Sequence, residues 1–237
     1  MNRQAVNPYL PSWEYIPDGE PHVFNGRVYV YGSHDRFNAP IFCVNDYVCW
    51  SAPVEDLSEW RYEGVIYRKK QDPKNPLGYH LLFAPDVCQG PDGRYYLYYA
   101  FDFLGIMSVA VCDTPAGEYK FLGHIHYADG TLWGRRRGDQ LPFDPGVLVD
   151  DDGRVWLYSG FYNAVPAILT GGHKLRCDGG TVLELEKDMV TIKTEPRVIF
   201  PKKGPGAFQG HEFFEASSIR KEGKTYIFVY SSRHNHE

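Results

Sequence analysis

The sequence predicts an all-β protein, and two observations support that prediction. The chain contains no long segment with the i, i+3, i+4 apolar spacing of an amphipathic helix. Short runs of β-branched and aromatic residues recur instead between Gly, Asp and Pro, as strands do between turns. Aromatic residues make up 16% of the chain, and this excess suits both β-sheets and flat ligands such as sugar rings.

A hairpin motif returns four times along the chain. The four segments are "EPHVFNGRVYVYGS" from Glu20, "APDVCQGPDGRYYLYYAF" from Ala84, "DPGVLVDDDGRVWLYSGF" from Asp144 and "EASSIRKEGKTYIFVYSS" from Glu215. Each has a short β-type run, a Gly-containing turn and an aromatic-rich strand. Asn-Gly and Asp-Gly turns tolerate the positive φ that tight hairpins need. We therefore expect a β-hairpin in each segment.

The spacing of these hairpins favours a β-propeller. They start about 60 to 70 residues apart, which exceeds a bare blade of about 40 to 50 residues and fits blades with insertions. We expect third strands in "IFCVNDYVCWSAP" and "IMSVAVCDTP", and outer strands in "WRYEGVIY" and "YKFLGHIH". Radial repetition of small sheets buries both faces of each sheet. A β-sandwich is the alternative, but it does not predict one hairpin motif returning at long, similar intervals.

The repeats also predict the domain organisation. We expect a single domain over residues 1–237 that holds three full blades and half of a fourth. A propeller ring has to close, because an open ring exposes strand edges. The chain is therefore expected to be the N-terminal part of a propeller whose last blade is missing, and a smaller architecture is the alternative.

Composition excludes several classes of function. The net charge of −5 gives no nucleic-acid footprint. The five cysteines lack metal-type spacing and fit reduced, mostly buried thiols. The N-terminus has no apolar signal-peptide region, and no apolar run approaches membrane-spanning length. We expect a cytoplasmic protein without nucleic-acid or membrane partners, although a removed leader would leave the same sequence; the oligomeric state stays open.

Acidic residues stand at the start of the inner strand in three of the four hairpins. They are Asp18 or Glu20, Asp144 and Glu215, whereas the second hairpin has Ala84 with Asp86 two residues on. In a propeller these positions converge on one mouth of the central channel. Several acids around one mouth raise one another's pKa, so that one carboxyl can stay protonated while another is ionised. Hydrolysis of a glycosidic bond needs such an acid and base. Each acid alone would be explained by a turn or strand-start role; their shared register favours catalysis.

At these residues the chain resembles glycoside hydrolase family 43, whose members are five-bladed propeller enzymes acting on arabinose- and xylose-containing polysaccharides. The motifs that carry the resemblance are "FDPGVLVDDDGRVWLYSG", "FFEASSIRKEGKTYIFVYSS", "YVYGSHD" and "LLFAPDV". Any one of them alone is a weak signal, but together they are specific. The resemblance extends over essentially the whole chain.

The resemblance implies an inverting mechanism with three carboxylates. Glu215 would be the general acid, and Asp144 would orient it and raise its pKa. A first-blade carboxylate would be the general base, about 6.5 to 9.5 Å from the acid. The family usually shows Asp followed directly by Pro, whereas this chain has "PDGEPHVF". Alignment on Pro selects Glu20, while residue type and distance to the aromatic strand select Asp18, which we favour.

Further residues are expected to bind the substrate. They are Glu20, His34, Asp35, Phe83, Asp86, Phe143 and His211. A structural hydrogen bond, a turn or core packing is the alternative for each of them. No cofactor is expected for the reaction. The resemblance implies a calcium ion or a water near the channel centre, but no EF-hand type of motif is present, and the metal stays open.

Three functions compete at this point. The leading expectation is a β-xylosidase or α-L-arabinofuranosidase acting on plant oligosaccharides or polysaccharides. A propeller phosphorylase would need a basic phosphate pocket, for which Arg135–Arg137 is the compact basic cluster. A non-catalytic carbohydrate-binding propeller is the third reading. The arrangement of Glu215 and Asp18 or Glu20 around the channel separates the catalytic readings from the binding one.

Overall fold

The structure is built of small antiparallel sheets that follow one another along the chain. A computed structural model describes residues 7–203 and 208–232. It has three four-stranded sheets and one two-stranded sheet, each made of consecutive strands in sequential order. One 3₁₀ turn, Lys69–Gln71, is the helical element in this described part, which holds no helix long and apolar enough to cross a membrane. The predicted all-β propeller, with three full blades and half a fourth, is confirmed.

The strands match the predicted repeats closely. In chain order they are β1 (Glu20–Phe24), β2 (Arg27–Tyr31), β3 (Tyr47–Pro53), β4 (Arg61–Tyr67), β5 (Asp86–Gln89), β6 (Tyr95–Ala100), β7 (Met107–Cys112), β8 (Lys120–His124), β9 (Gly146–Val149), β10 (Val155–Phe161), β11 (Gly179–Leu185), β12 (Arg197–Pro201), β13 (Phe213–Glu222) and β14 (Thr225–Ser232). The first strands β1, β9 and β13 belong to the hairpins that carry the aligned acids, and β5 belongs to the hairpin with Ala84. The expected third and outer strands of the first two blades are β3, β4, β7 and β8.

The hairpin turns form where the sequence predicts them. Strands β1 and β2 pair from Glu20 with Tyr31 to Phe24 with Arg27, which leaves a two-residue loop. Its residues Asn25 and Gly26 have φ of 49° and 76°. Two consecutive positive φ angles are the signature of the type I′ turn, whose twist matches that of the flanking strands.

Tyrosine-rich clusters pack the blades against one another. Alternate side chains of β6 point to opposite faces of its sheet. Leu97 and Tyr99 pack against the first blade, in a buried cluster with Tyr31 and Tyr67. Tyr98, on the other face, packs against the third blade in a cluster with Trp133 and Leu157. The core of the protein therefore lies between the blades.

The third and fourth blades approach each other closely near the channel. A Cβ built on Gly146 of β9 would lie 2.6 Å from the carbonyl oxygen of Ser217 in β13. Gly146 follows Asp144 by two residues, and Ser217 follows Glu215 by two. The absence of a side chain at Gly146 therefore lets the two acid-bearing segments come together.

The substitution Gly146→Ala tests this contact. Because the added methyl would meet backbone that cannot move independently, we expect the free energy of unfolding in urea to fall by about 1–3 kcal/mol. Gly123→Ala is the matched control, since its Cβ would lie an ordinary 3.5 Å from Val190. The control should stay within about 1 kcal/mol of wild type. Equal effects of the two substitutions would contradict the close approach.

Candidate active site

The structure brings three carboxylates from three blades to one cavity. Asp18, Asp144 and Glu215 line a cavity of about 340 Å³. The same three residues also line an adjoining cavity of about 490 Å³, which Glu20 borders as well. The carboxyl groups therefore stand where the two cavities meet.

Six phenylalanines form the wall of the first cavity, which we call the aromatic cavity. They are Phe42, Phe83, Phe103, Phe143, Phe161 and Phe214. The rings form a continuous surface: Phe143 lies 4.7 Å from Phe161 and stacks on Phe103 with an interplanar angle of 7°. Aromatic faces suit the apolar faces of sugar rings.

Asp144 is held firmly in a buried position. Its backbone has a φ of 47°, a left-handed conformation that Asp tolerates better than most residues. Its Oδ2 accepts a hydrogen bond of 3.2 Å from the backbone N–H of Ala216. Burial and, after it, the negative charges of Glu215 and Asp18 hold the pKa of Asp144 well above its usual range, against the opposing effect of the Ala216 N–H.

Irregular backbone around Glu215 aims its side chain into the cavity. The pairing of β13 with β14 shifts register on both sides of Glu215. Ala216, directly after it, has a φ of 63°, which costs a non-glycine residue about 1–2 kcal/mol. β-Bulges are known to redirect a side chain next to an active site. Burial, followed by the charge of Asp18, raises the pKa of Glu215, as a proton donor requires.

Asp18 is oriented by a serine that the sequence interpretation missed. The hydroxyl of Ser33 donates a hydrogen bond to Oδ2 of Asp18. Ser33 is fully buried and stands two residues after the end of β2, in the "YVYGSHD" motif. The second oxygen of Asp18 therefore remains the one that can face a ligand.

Glu20 is committed to other partners. Its Oε1 accepts hydrogen bonds from the hydroxyl of Ser218 at 2.7 Å and from Nη2 of Arg220 at 2.5 Å. Glu20 does not line the aromatic cavity, whereas Asp18 does. The geometry therefore favours Asp18 over Glu20 as the carboxylate that could act on a substrate.

The other predicted binding residues divide into two groups. Asp35, Phe83 and Phe143 line the aromatic cavity. Oδ1 of Asp35 also accepts a hydrogen bond of 2.5 Å from the backbone N–H of Cys43, which anchors the loop that carries Phe42. The predicted contact of Asp35, Phe83 and Phe143 with a sugar is consistent with their position in the wall of the aromatic cavity.

Three predicted binding residues lie outside the lining of the aromatic cavity. His34 contacts Glu14 and the carbonyl of Asp46 through its two ring nitrogens, both at 2.9 Å. Asp86 is buried and contacts His22 at 2.6 Å. His211 is exposed, and its backbone carbonyl accepts a hydrogen bond from Tyr230. The structure therefore does not bring these three residues to the aromatic cavity.

Several lining residues escaped the sequence interpretation. Phe161 ends the third hairpin, Phe103 follows the second, and Phe214 stands directly before Glu215. The available signal was their position beside the hairpins, where Phe103 and Phe161 follow or end a second strand and Phe214 precedes an acid. Cys43 also lines the cavity, and burial raises the pKa of its thiol to about 12, which keeps it neutral and unreactive.

The basic cluster has structural partners. Arg135 donates hydrogen bonds to the carbonyls of Leu104, Gly105 and Gly134. Arg136 lies 3.4 Å over the ring of Tyr127 and pairs with Asp129 at 2.8 Å. None of the residues 135–137 lines either cavity, and the phosphate pocket of a phosphorylase gains no support.

One group of side chains offers potential ligands for a metal ion. It consists of Glu20, His22 and Asp86, whose ligand atoms lie within 4.8 Å of one another. Calcium takes six to eight oxygen ligands, whereas this group supplies two carboxylates and an imidazole. The ligand atoms are also engaged with protein donors, among them Arg220 on Glu20 and the backbone N–H of Val147 on Asp86. These three residues therefore do not fit a calcium ion.

Comparisons with known proteins identify the family and the fold of the chain. The family model described as "Glycosyl hydrolases family 43" matches residues 17–236. A xylosidase/arabinosidase from Thermoclostridium stercorarium is 60% identical over all of this chain and 49% of its own length. Xylosidase/arabinosidase 43A from Humicola insolens is 31% identical over 94% of this chain and 74% of its own length. The chain thus spans about half the length of the first relative and three quarters of the second.

Solved structures show the same fold. A β-xylosidase/α-arabinofuranosidase from a compost microbial metagenome, solved with xylotriose, superposes with a TM-score of 0.70 and 26% identity. That comparison covers 96% of this chain and 73% of the other. The β-xylosidase RS223 gives a TM-score of 0.67 at 25% identity, over 92% of this chain and 71% of the other.

The raised pKa of Asp144 predicts that Asp144→Asn stabilises the protein at neutral pH. At Asp144 the native state binds a proton more tightly than the unfolded chain does. The stability that this proton contributes to wild type is therefore lost as pH rises from about 3.9 through the native pKa of Asp144. Asn keeps an acceptor for Ala216 and tolerates the positive φ. We expect a higher free energy of unfolding for the variant at neutral pH, and a difference that disappears near pH 4.

Asp72→Asn is the control with the opposite sign. Asp72 is fully buried, which raises its pKa, but hydrogen bonds from His124 and the N–H of Lys74 outweigh burial and lower it. Its stabilising contribution is present above about pH 3.9 and is lost as pH falls through the native pKa. Asp72→Asn should therefore destabilise the protein at neutral pH.

The opposite result at Asp144 would contradict the prediction. A destabilised Asp144→Asn variant would show that the native state stabilises Asp144 as an anion.

Proposed function

The chain belongs to glycosyl hydrolase family 43, and on that premise we propose that its site hydrolyses the glycosidic bonds of xylose or arabinose residues in plant oligosaccharides and polysaccharides. The observation that carries the proposal is the meeting of Asp18, Asp144 and Glu215 at one phenylalanine-walled cavity. The names of the relatives, xylosidase/arabinosidase, support the sugar class.

Glu215 acts as the general acid. Burial and the charge of Asp18 raise the pKa of its carboxyl, which favours the protonated form that a general acid needs. It gives that proton to the glycosidic oxygen as the bond to the anomeric carbon breaks. The leaving sugar or alcohol then departs as a neutral hydroxyl compound instead of an alkoxide.

Asp18 acts as the general base. It accepts a proton from a water molecule, whose oxygen forms the new bond to the anomeric carbon on the face opposite the leaving group. The proton released by water on one side thus balances the proton that Glu215 donates on the other. The configuration at the anomeric carbon is inverted.

Asp144 positions the acid. The hydrogen bond from Ala216 to Asp144 fixes the peptide directly after Glu215. Burial and the charge of Glu215 raise the pKa of Asp144, whereas burial and the charge of Asp18 raise the pKa of Glu215. Asp144 therefore acts on the acid through the position of this peptide.

The aromatic cavity suits one small sugar ring. Its volume of about 340 Å³ lies at the lower end of the range for small-ligand sites. Phe83, Phe143 and Phe161 offer flat faces, while Asp35 and the three catalytic carboxyls supply the polar contacts. A site that only binds neutral sugars does not need carboxyls with raised pKa values, and this favours catalysis over binding alone.

Glu215→Gln tests the acid through its dependence on the leaving group. The variant should hydrolyse xylobiose about 10²–10⁴-fold more slowly than wild type, because the departing sugar oxygen of xylobiose needs a proton from the acid. It should lose far less on 4-nitrophenyl β-xyloside or α-L-arabinofuranoside, since 4-nitrophenolate leaves without a proton. The measurement is kcat on both substrate types. An equal loss on both would remove Glu215 from the role of acid, and the better aryl substrate names the sugar.

Asp18→Asn and Glu20→Gln separate the two candidates for the base. The base acts on water, so Asp18→Asn should lower kcat by about 10²–10⁴-fold on aryl and sugar leaving groups alike. Glu20→Gln should keep most of the activity of wild type at a temperature where it is folded. ¹H NMR of the first product formed by wild type should show the inverted anomer. The reverse order of the two variants would make Glu20 the base, and a retained anomer would contradict inversion.

A further inference from the structure

A polar network crosses the channel beyond the catalytic carboxylates and joins all four inner strands. It comprises Glu20 and His22 of β1, Asp86 of β5, the backbone N–H of Val147 in β9, and Arg220 of β13. Each member stands two to five residues further along the chain than the acidic or Ala84 position of its own blade. We call this group the channel network.

Arg220 is the cation of the channel network. Its Nη2 donates to Oε1 of Glu20 at 2.5 Å and to the carbonyl of Pro21 at 2.6 Å. Its Nη1 donates to the carbonyl of Ile219 at 2.7 Å. The guanidinium therefore bridges β13 and β1, two strands whose bonded residues are 200 positions apart in the sequence.

The carboxylates of the network accept hydrogen bonds from several protein donors. Oδ1 of Asp86 contacts Nε2 of His22 at 2.6 Å and accepts from the N–H of Val87 at 2.7 Å. Its Oδ2 accepts from the N–H of Val147 at 2.6 Å. Oε1 of Glu20 accepts from Ser218 and Arg220. An ion entering this group would have to displace several of these bonds.

We propose that the guanidinium of Arg220 takes the place of a metal ion in the channel network, so that the native chain binds no divalent cation at Glu20, His22 and Asp86. We propose also that removal of the guanidinium converts these three residues into a divalent-cation site. The inference concerns the centre of the channel and does not depend on the proposed chemistry at Asp18 and Glu215.

The physical reason is competition for one carboxylate. Arginine stays protonated at every accessible pH, so its charge at Glu20 is permanent. The ligand atoms of the three residues lie within 4.8 Å of one another, and Glu20 already accepts a hydrogen bond from Arg220. A divalent ion bound among them would therefore be repelled by the guanidinium and would compete with it for Glu20. Without the guanidinium, Glu20 would be a poorly compensated, half-buried anion, which a cation then stabilises.

The ligand set indicates which ions to use. Two carboxylates and one imidazole suit Zn²⁺ or Mn²⁺ better than Ca²⁺, which prefers a larger number of oxygen ligands. Zn²⁺ and Mn²⁺ are therefore the probes, and Ca²⁺ is the comparison. A second substitution, at Glu20, distinguishes metal bound in the channel network from metal bound adventitiously to other histidines.

The experiment compares wild type with Arg220→Met, which keeps the length of the side chain and removes its charge. Arg154→Met is the matched control, because Arg154 is exposed and pairs with Asp152 away from the channel. Each chelator-treated protein is titrated with Zn²⁺, Mn²⁺ or Ca²⁺. The thermal midpoint Tm and the bound metal per chain after equilibrium dialysis are measured.

We expect wild type and Arg154→Met to show no stoichiometric metal and no chelator-dependent Tm. Arg220→Met should melt several degrees lower without metal and regain those degrees with Zn²⁺ or Mn²⁺, with one ion bound per chain. The double variant Glu20→Gln/Arg220→Met should lose that gain. An Arg220→Met protein that folds only when metal is supplied supports the proposal in the same way.

Other results would overturn the proposal. A wild-type protein that releases one equivalent of metal to a chelator, with a fall in Tm, would show that an ion already occupies the network. An Arg220→Met protein that gains nothing from any of the three ions, or stays unfolded with them, would refute the conversion. Arg220→Lys, which keeps a positive charge, should behave as wild type, and a metal-dependent Tm in that variant would count against the role of charge.

Discussion

The mutual repulsion of three carboxyl groups in one apolar cavity is the constraint that the surrounding structure has to satisfy. Asp18, Asp144 and Glu215 come from three different blades, so no local segment can hold them together. Burial and like charge raise the pKa of Asp144 and Glu215, and this destabilises the fold at neutral pH. Packing between the blades has to offset that cost, and the tyrosine-rich clusters between the first three blades supply it.

Charge is distributed along the channel in two levels. At the cavity the carboxyls have few partners: Asp18 is bonded by Ser33, and Asp144 by the N–H of Ala216. In the channel network the acids are paired with Arg220 or His22. Asp18 and Glu20 stand only two residues apart, yet one is left available for chemistry and the other joins two blades. The partner, and not the residue type, separates the two roles.

Aromatic residues also fall into two groups with different tasks. Between blades they are mostly tyrosines whose hydroxyls find buried partners, as Tyr99 does on Asp72 at 2.7 Å. Around the cavity they are phenylalanines, which carry no polar group that could satisfy the carboxyls. Because the wall offers no hydrogen bonds, the pKa values stay high and the polar contacts of a sugar are left to the acids.

Four features follow from the sequence alone: the hairpins, their turns, the repeat of the blades and the three acids in register. Each of them depends on residues close together or on a regular period. The folded arrangement set the other features. It brought Asp18 and not Glu20 to the aromatic cavity and gave His34 and Asp86 hydrogen-bond partners within the protein. It also assembled the wall from Phe103, Phe161 and Phe214 and placed Arg220 on Glu20. These outcomes rest on contacts between distant segments, and a linear pattern specifies a side chain's chemistry without specifying which partner will reach it.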